Sequence, residues 1–218
     1  MALTGAFLML FVLAHLLGNL QIFLGSEWLN AYAEHLDDLP FLLWPMRALL
    51  LTALLTHMLT GLWLAVENRR ARPVRYAVGA TVQASLPSRL MVFLGLSLFC
   101  FIVYHLLHFT FGTIDPRIFS LTDAKGRHDV YSMVILGFQD NAATAVYTLA
   151  MFFLGAHLRH GAWSFLQTIG WLTESSLPKA RRLALVFALL VFIGYASIPV
   201  ASRAGWLRPS QGGFALGA

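Results

Sequence analysis

The chain has 218 residues, 58% of them apolar and 11% charged, with a mean hydropathy of +0.70 and a net charge of +5. A soluble domain carries roughly 25% charged residues, so this composition excludes an enzyme working in water and indicates a chain whose solvent is a bilayer. The positive charge does not indicate nucleic acid, because the basic residues cluster beside apolar runs, where they serve topology and contact with membrane lipid headgroups.

The first apolar run predicts a membrane helix over about residues 3–24. It lacks a basic leader and a small-residue cleavage site, so it is expected to remain in the mature chain. An acidic connection with Glu27, Glu34, Asp37 and Asp38 leads to a second span over about 41–67. A basic loop with Arg69, Arg70, Arg72 and Arg75 precedes a third span over about 89–112. The single cysteine, Cys100, lies in that span, so the chain forms no internal disulfide and holds no iron–sulfur cluster of its own. Residues Asp115 to Asp129 are polar and rich in turn formers and read as a loop. The fourth apolar stretch covers about 142–158, with the helix expected over about 130–160, and a second basic loop follows with Lys179, Arg181 and Arg182. The fifth covers about 181–203, with Pro199 expected to kink or end it. Each span is close to the ~20 residues that cross ~30 Å of hydrocarbon.

The expected fold is an all-α membrane protein, one transmembrane helical domain over residues 1–218 built as a bundle of five helices. Both basic loops fall on one side of the bundle and the acidic connections on the other. The positive-inside rule then makes the N-terminus cytoplasmic and the C-terminus external.

Eight histidines are many for so apolar a chain, and His15, His57, His105 and His157 fall in four different helices. Ionisable side chains are costly inside a membrane and usually face the bundle interior, where they carry function. One such histidine alone is equally well explained by an interhelical hydrogen bond. Four, one per helix, point to ligation. Helix rise sorts them by depth from the cytoplasmic edge: His15 at ~20 Å, His105 at ~24 Å, His57 at ~16 Å and His157 within ~5 to 15 Å. An outer pair, His15 with His105, and an inner pair, His57 with His157, result. Two imidazoles at matched depth on facing helices can hold an iron porphyrin from both sides, a ligation that favours electron transfer over oxygen binding. Zinc is a weaker alternative, because no thiolate or carboxylate shares either depth.

His108 and His160 follow His105 and His157 by three residues and lie near the same helix faces. One iron takes one ligand from each helix, so one histidine of each couple has another role. His160, beside Arg159 at the cytoplasmic interface, is a candidate contact for a haem propionate or a quinone, or equally a solvated interface residue. His108 has the same two readings a turn nearer the outer face. His35 and His128 are expected on the surface of loops.

These residues carry a family likeness. His15-Leu-Leu-Gly-Asn19, His57-Met-Leu-Thr-Gly61, Tyr104-His105-Leu106 and His157-Leu-Arg-His160-Gly-Ala-Trp-Ser-Phe165 resemble the cytochrome b membrane anchor of succinate dehydrogenase and fumarate reductase, in its single-chain, five-helix form with two b haems. The likeness runs in order along nearly the whole chain. It implies an anchor in the cytoplasmic (inner) membrane for a flavoprotein subunit carrying FAD and an iron–sulfur subunit, both on the cytoplasmic face. Electrons from succinate would reach a quinone, commonly menaquinone in this type, or run in reverse to fumarate. The resemblance also implies His15 and His105 as ligands of a distal haem, and His57 and His157 as ligands of a proximal one. Arg89 and His160 are candidates for the propionates, whose charge a cation or donor would offset. The chain would carry no dicarboxylate-oxidising residue of its own. Some relatives have a proton-carrying glutamate two residues before the fourth ligand; here that position is Gly155, so that route is not supported.

Near the cytoplasmic ends, Ser88, His160, Trp163, Ser164 and Gln167 are donors or flat apolar surfaces that are candidates to hold a quinone ring. Against this, Trp163 suits the interfacial aromatic belt, and Ser88, after Pro87, suits a helix cap. Two other readings use the same features. One is a haem-free, quinone-binding anchor of the same complex with structural histidines. The other is a small transporter with a histidine relay, disfavoured because the helices lack an interrupted or repeated pattern.

Overall fold

The computed structural model describes residues 1–71 and 86–210, with side chains described from 89 onward in the second segment. Arg72, Arg75 and the side chain of Ser88 lie outside the described residues. In chain order the helices are α1 (Ala2–Leu20), extended by a 3-10 turn over Gln21–Leu24, then α2 (Ser26–Asp37), α3 (Pro40–Arg70) and α4 (Leu86–His105). A π turn over Leu106–Thr110 widens the end of α4. There follow α5 (Pro116–Phe119), α6 (Val130–Gly137), α7 (Asn141–Thr168) and α8 (Leu177–Arg203). The described residues form an all-α fold without strands; a lone antiparallel bridge pairs Thr122 with His128.

Five of these helices are long and apolar enough to cross a membrane: Ala2–Leu24, Pro40–Arg70, Arg89–Thr110, Asn141–Thr168 and Leu177–Arg203. Large apolar side chains such as Leu3, Phe41, Trp63, Phe152 and Leu190 stay exposed on their outward faces. A helix closes its backbone hydrogen bonds internally, so such a surface is stable against lipid, where it would be unfavourable in water.

The structure departs from the sequence expectations in several places. The fourth stretch, expected as one helix over about 130–160, is two helices broken at Phe138–Asp140. The Asp140 side chain accepts from Ala143 N at 2.8 Å and starts α7 afresh, while Gln139 turns away to donate to Ser202 O at 2.8 Å. An N-cap of this kind contributes about 1 kcal/mol, enough to favour a restart where the preceding helix has ended. α7 then runs to Thr168, which puts residues 161–168 on a helix instead of in a loop. The acidic connection is largely the helix α2, started after Gly25, whose φ of 106° only glycine adopts freely. Pro199 does not end α8, which continues to Arg203.

α7 and α8 pack most extensively against each other. Ala180, Ala184 and Ala188 form a buried small-residue row, and a Cβ on Gly155 would stand 3.4 Å from Ala188 O, so the two backbones approach closely. Leu16 of α1 joins Leu158, Ala188 and Val191 in one core cluster. A second cluster, with Ile22, Leu29, Tyr131, Ile135, Phe138, Tyr147 and Ile198, closes the far end of the bundle.

A polar clasp seals that same end. Asn30 and Asp129 are fully buried. Asp129 accepts from Asn30 Nδ2 at 3.0 Å, Ser132 N at 3.0 Å and Ser210 Oγ at 2.7 Å, and Asn30 Oδ1 accepts from Tyr131 N at 2.9 Å. Around this knot Arg127 pairs with Asp123 at 2.7 Å and with Glu27 at 2.9 Å, and Lys125 pairs with Glu27 at 2.7 Å. The clasp ties α2, the segment before α6 and the end of the described chain together. At the opposite end, Met1 lies beside Gly61 and His57.

Candidate functional site

The intramembrane histidines meet in two pairs. α1 and α4 bring His15 and His105 to a ring-centre separation of 5.9 Å, with planes 78° apart. α3 and α7 bring His57 and His157 to 6.2 Å, with planes 70° apart. These are the pairs that depth along the helices selects. Gly5 lies against the His57 ring, and His15 follows ten residues later, so ~15 Å along α1 separates the two levels. On α4 the same step separates Gly95, which faces His157, from His105. Because α7 extends to Thr168, His157 lies ~16 Å from its helix end, level with His57 rather than shallower.

The ring surroundings decide which nitrogens are available. His57 Nδ1 is 3.3 Å from Met1 O and 3.3 Å from Thr4 Oγ1. A carbonyl only accepts, so the proton sits on Nδ1 and the free lone pair is on Nε2. His105 Nδ1 is 3.2 Å from the Tyr147 hydroxyl, which can accept its proton and so free Nε2, or donate to it. The Asn19 amide is 3.3 Å from both His15 Nδ1 and His15 Nε2 but donates more closely to His15 O, at 2.7 Å. Phe11 stacks on His15 at 5.4 Å and fixes the ring plane. His157 Nδ1 is buried with no hydrogen-bond partner among the described residues. Such an atom costs about 1–3 kcal/mol and marks a place where a partner belongs.

The close neighbours have separate settings. His108 is 4% exposed, stacked on Phe109 at 4.0 Å and turned toward Gly137 on α6, whose Cβ would stand 3.2 Å from its Nε2. His160 lies 5.1 Å from Trp163, and its Nδ1 is also buried without a partner among the described residues. Arg181 covers the other side of Trp163 at 4.7 Å. Trp163 lines a groove of about 370 Å³ between α7 and α8, with Leu166, Leu183 and Phe187 as walls and Ser176 and Lys179 at its rim. Of the quinone candidates, the structure thus brings His160 and Trp163 together; Ser164 does not line the groove and Gln167 is exposed. Arg89 is exposed at the start of its span, ~9 Å along α4 from Gly95.

The loop histidines divide. His35 is exposed on α2, whereas His128 is half-buried against Phe119 at 5.0 Å and is not a surface residue. Sequence reasoning also missed Tyr147, the residue that touches both His105 and His108. Its distance from them along the chain left no local signal.

At the clasp, Arg127 and Lys125 hold the Glu27 carboxyl below the usual carboxylate range. Burial pushes Asp129 up, but hydrogen bonds from Ser132, Asn30 and Ser210 outweigh it, and the net direction is down. Asp123 behaves alike, with Arg127 as its main counterweight.

Five helices long and apolar enough to cross a membrane, around two half-buried histidine pairs, mark the chain as a multi-pass helical membrane protein. Comparison with known protein families, characterised proteins and solved structures finds no match.

Proposed function

We propose that the chain is the membrane-anchor cytochrome b subunit of a succinate:quinone oxidoreductase, in which two b haems carry electrons one at a time between an iron–sulfur subunit and membrane quinone, with menaquinone favoured. His15 and His105 would hold one haem and His57 and His157 the other. The observation that carries this reading is that four histidines, one from each of four apolar helices, meet in two facing pairs at two levels of the bundle. Each pair could hold a haem iron between two imidazoles, and the haem would supply one-electron transfer. The pairs stand at 5.9 and 6.2 Å. Among the described residues no cluster of three or more His, Cys, Asp or Glu could cage a bare ion, so each pair would suit a cofactor that brings further ligands with it.

The protein's part is to hold and orient. Met1 O and Thr4 hold the His57 ring, Tyr147 holds His105, and Phe11 sets the plane of His15. Basic residues at the end of α3 and the start of α8 assign that face to the cytoplasm by the positive-inside rule, and the flavoprotein and iron–sulfur subunits would dock there. His160 and Trp163, with the groove beside them, favour that end for quinone.

A reduced-minus-oxidised visible spectrum with pyridine haemochrome quantitation tests the proposal. About two low-spin haems b per chain is the expected result. No haem, with copurifying catalytic subunits, would leave a quinone-binding anchor and remove the electron-transfer role.

A further inference from the structure

Resting on the two-haem reading, we infer that Tyr147 positions His105 and sets the redox poise of the His15/His105 centre, with His108 as the third member of a fixed hydrogen-bond chain. The Tyr147 hydroxyl is 3.2 Å from His105 Nδ1 and 3.2 Å from His108 Nδ1. Tyr147 is 6% exposed and His108 4%, so water does not compete for these atoms. Phe101 and Phe138 each meet the tyrosine ring edge-on at 4.9 Å and hold it in place.

The protons in this chain have one arrangement. When His105 gives Nε2 to a ligand, its proton is on Nδ1 and is donated to Tyr147 Oη. The hydroxyl carries one proton of its own, and its other neighbour is His108 Nδ1, which therefore accepts. His108 then bears its proton on Nε2. A hydroxyl that donates onward is a stronger acceptor than an isolated one, so His108 reinforces the bond to His105. An acceptor on the distal nitrogen of a metal-bound imidazole raises its basicity and favours the more highly charged, oxidised centre. Among the described residues the other pair has no phenol in this position; His157 Nδ1 has no partner at all. The chain also gives His108 a task other than ligation, consistent with its ring being turned toward Gly137.

The test is a potentiometric titration of the purified complex, with the two b haems resolved and the His15/His105 centre assigned as the one lost in His105→Ala. In Tyr147→Phe, the expected result is a three- to tenfold shift of that centre toward the reduced state, about 30–60 mV upward at 59 mV per decade. Both haems are kept and the His57/His157 centre does not move. His108→Asn keeps an acceptor where Nδ1 was and is expected to hold the wild-type potential, while His108→Phe shifts in the same direction as Tyr147→Phe. Unchanged potentials in Tyr147→Phe, or equal potentials in the two His108 variants, would overturn the inference. If Tyr147→Phe sheds its haem, the His108 comparison decides. A wild-type complex without haem overturns the two-haem reading itself, and is seen before any variant is made.

Discussion

Replacing Gly5 with valine is expected to disable one histidine pair and spare the other. A Cβ at position 5 would stand 3.0 Å from His57 Cε1 and 3.4 Å from Nδ1, so the imidazole must move by a few tenths of an ångström even for alanine. Valine adds two methyl groups at the same point. The ring has little freedom to retreat, because Nδ1 is held by Met1 O and Thr4 on one side and His157 stands 6.2 Å away on the other. Overpacking of this kind costs about 1–3 kcal/mol. Helix propensity works the other way, since valine is better than glycine by a few tenths of a kcal/mol. Strain therefore outweighs propensity, and the net cost corresponds to a roughly 3- to 100-fold loss of ligand affinity at His57/His157. The His15/His105 level lies ~15 Å further along α1 and should keep its affinity. The assay is haem per chain together with the redox titration: one haem lost or shifted, one as in wild type. Two unperturbed haems would refute the argument from Gly5, and equal loss of both would show that α1 misfolds as a whole.

His105→Ala is expected to abolish the haem at His15, while His108→Ala leaves two haems per chain; retention of both in the first variant would sink the ligand assignment. Asp129→Ala removes the cap of α6 and a charged acceptor of three hydrogen bonds, and is expected to cost about 2–4 kcal/mol, read as a lower thermal midpoint in detergent. An unchanged midpoint would show that the clasp is dispensable. Acid should loosen the same end. Glu27, Asp115, Asp123 and Asp129 all have carboxyls lowered by folding, so their contribution is present above the ordinary carboxylate range of about 4 and is lost as pH falls through the lowered folded values. Thermal midpoints between about pH 6 and pH 3 should therefore fall, and fall less in Arg127→Gln; a flat profile would count against the ion network.

The five spans and the two histidine pairs were legible because both depend on position along one axis. Apolar length identifies a span, and a rise of ~1.5 Å per residue places His15 level with His105 without knowledge of which helices touch. The break before Asp140 was legible in part: Gln139, Asp140 and Asn141 interrupt the apolar run, but apolar residues on both sides suit one long helix. The clasp was illegible for a different reason. Asn30 and Asp129 are 99 residues apart, and each alone reads as a solvated loop residue. Tyr147 belongs with them: a tyrosine in an apolar helix is unremarkable until the fold sets two imidazoles against its hydroxyl.

One feature of α3 bears on how the molecule is put together. Only Ala53 of its 31 residues is buried, and most of the helix presents apolar side chains outward. Such a helix inserts into the bilayer readily but is weakly held to its neighbours once there. His57 meets His157 of α7, and two-point ligation through the two would act as a clamp on a helix that packing alone leaves loose. Under the two-haem reading, loading of that centre would tighten α3 against the bundle, and its removal should loosen α3 before the better packed α7 and α8.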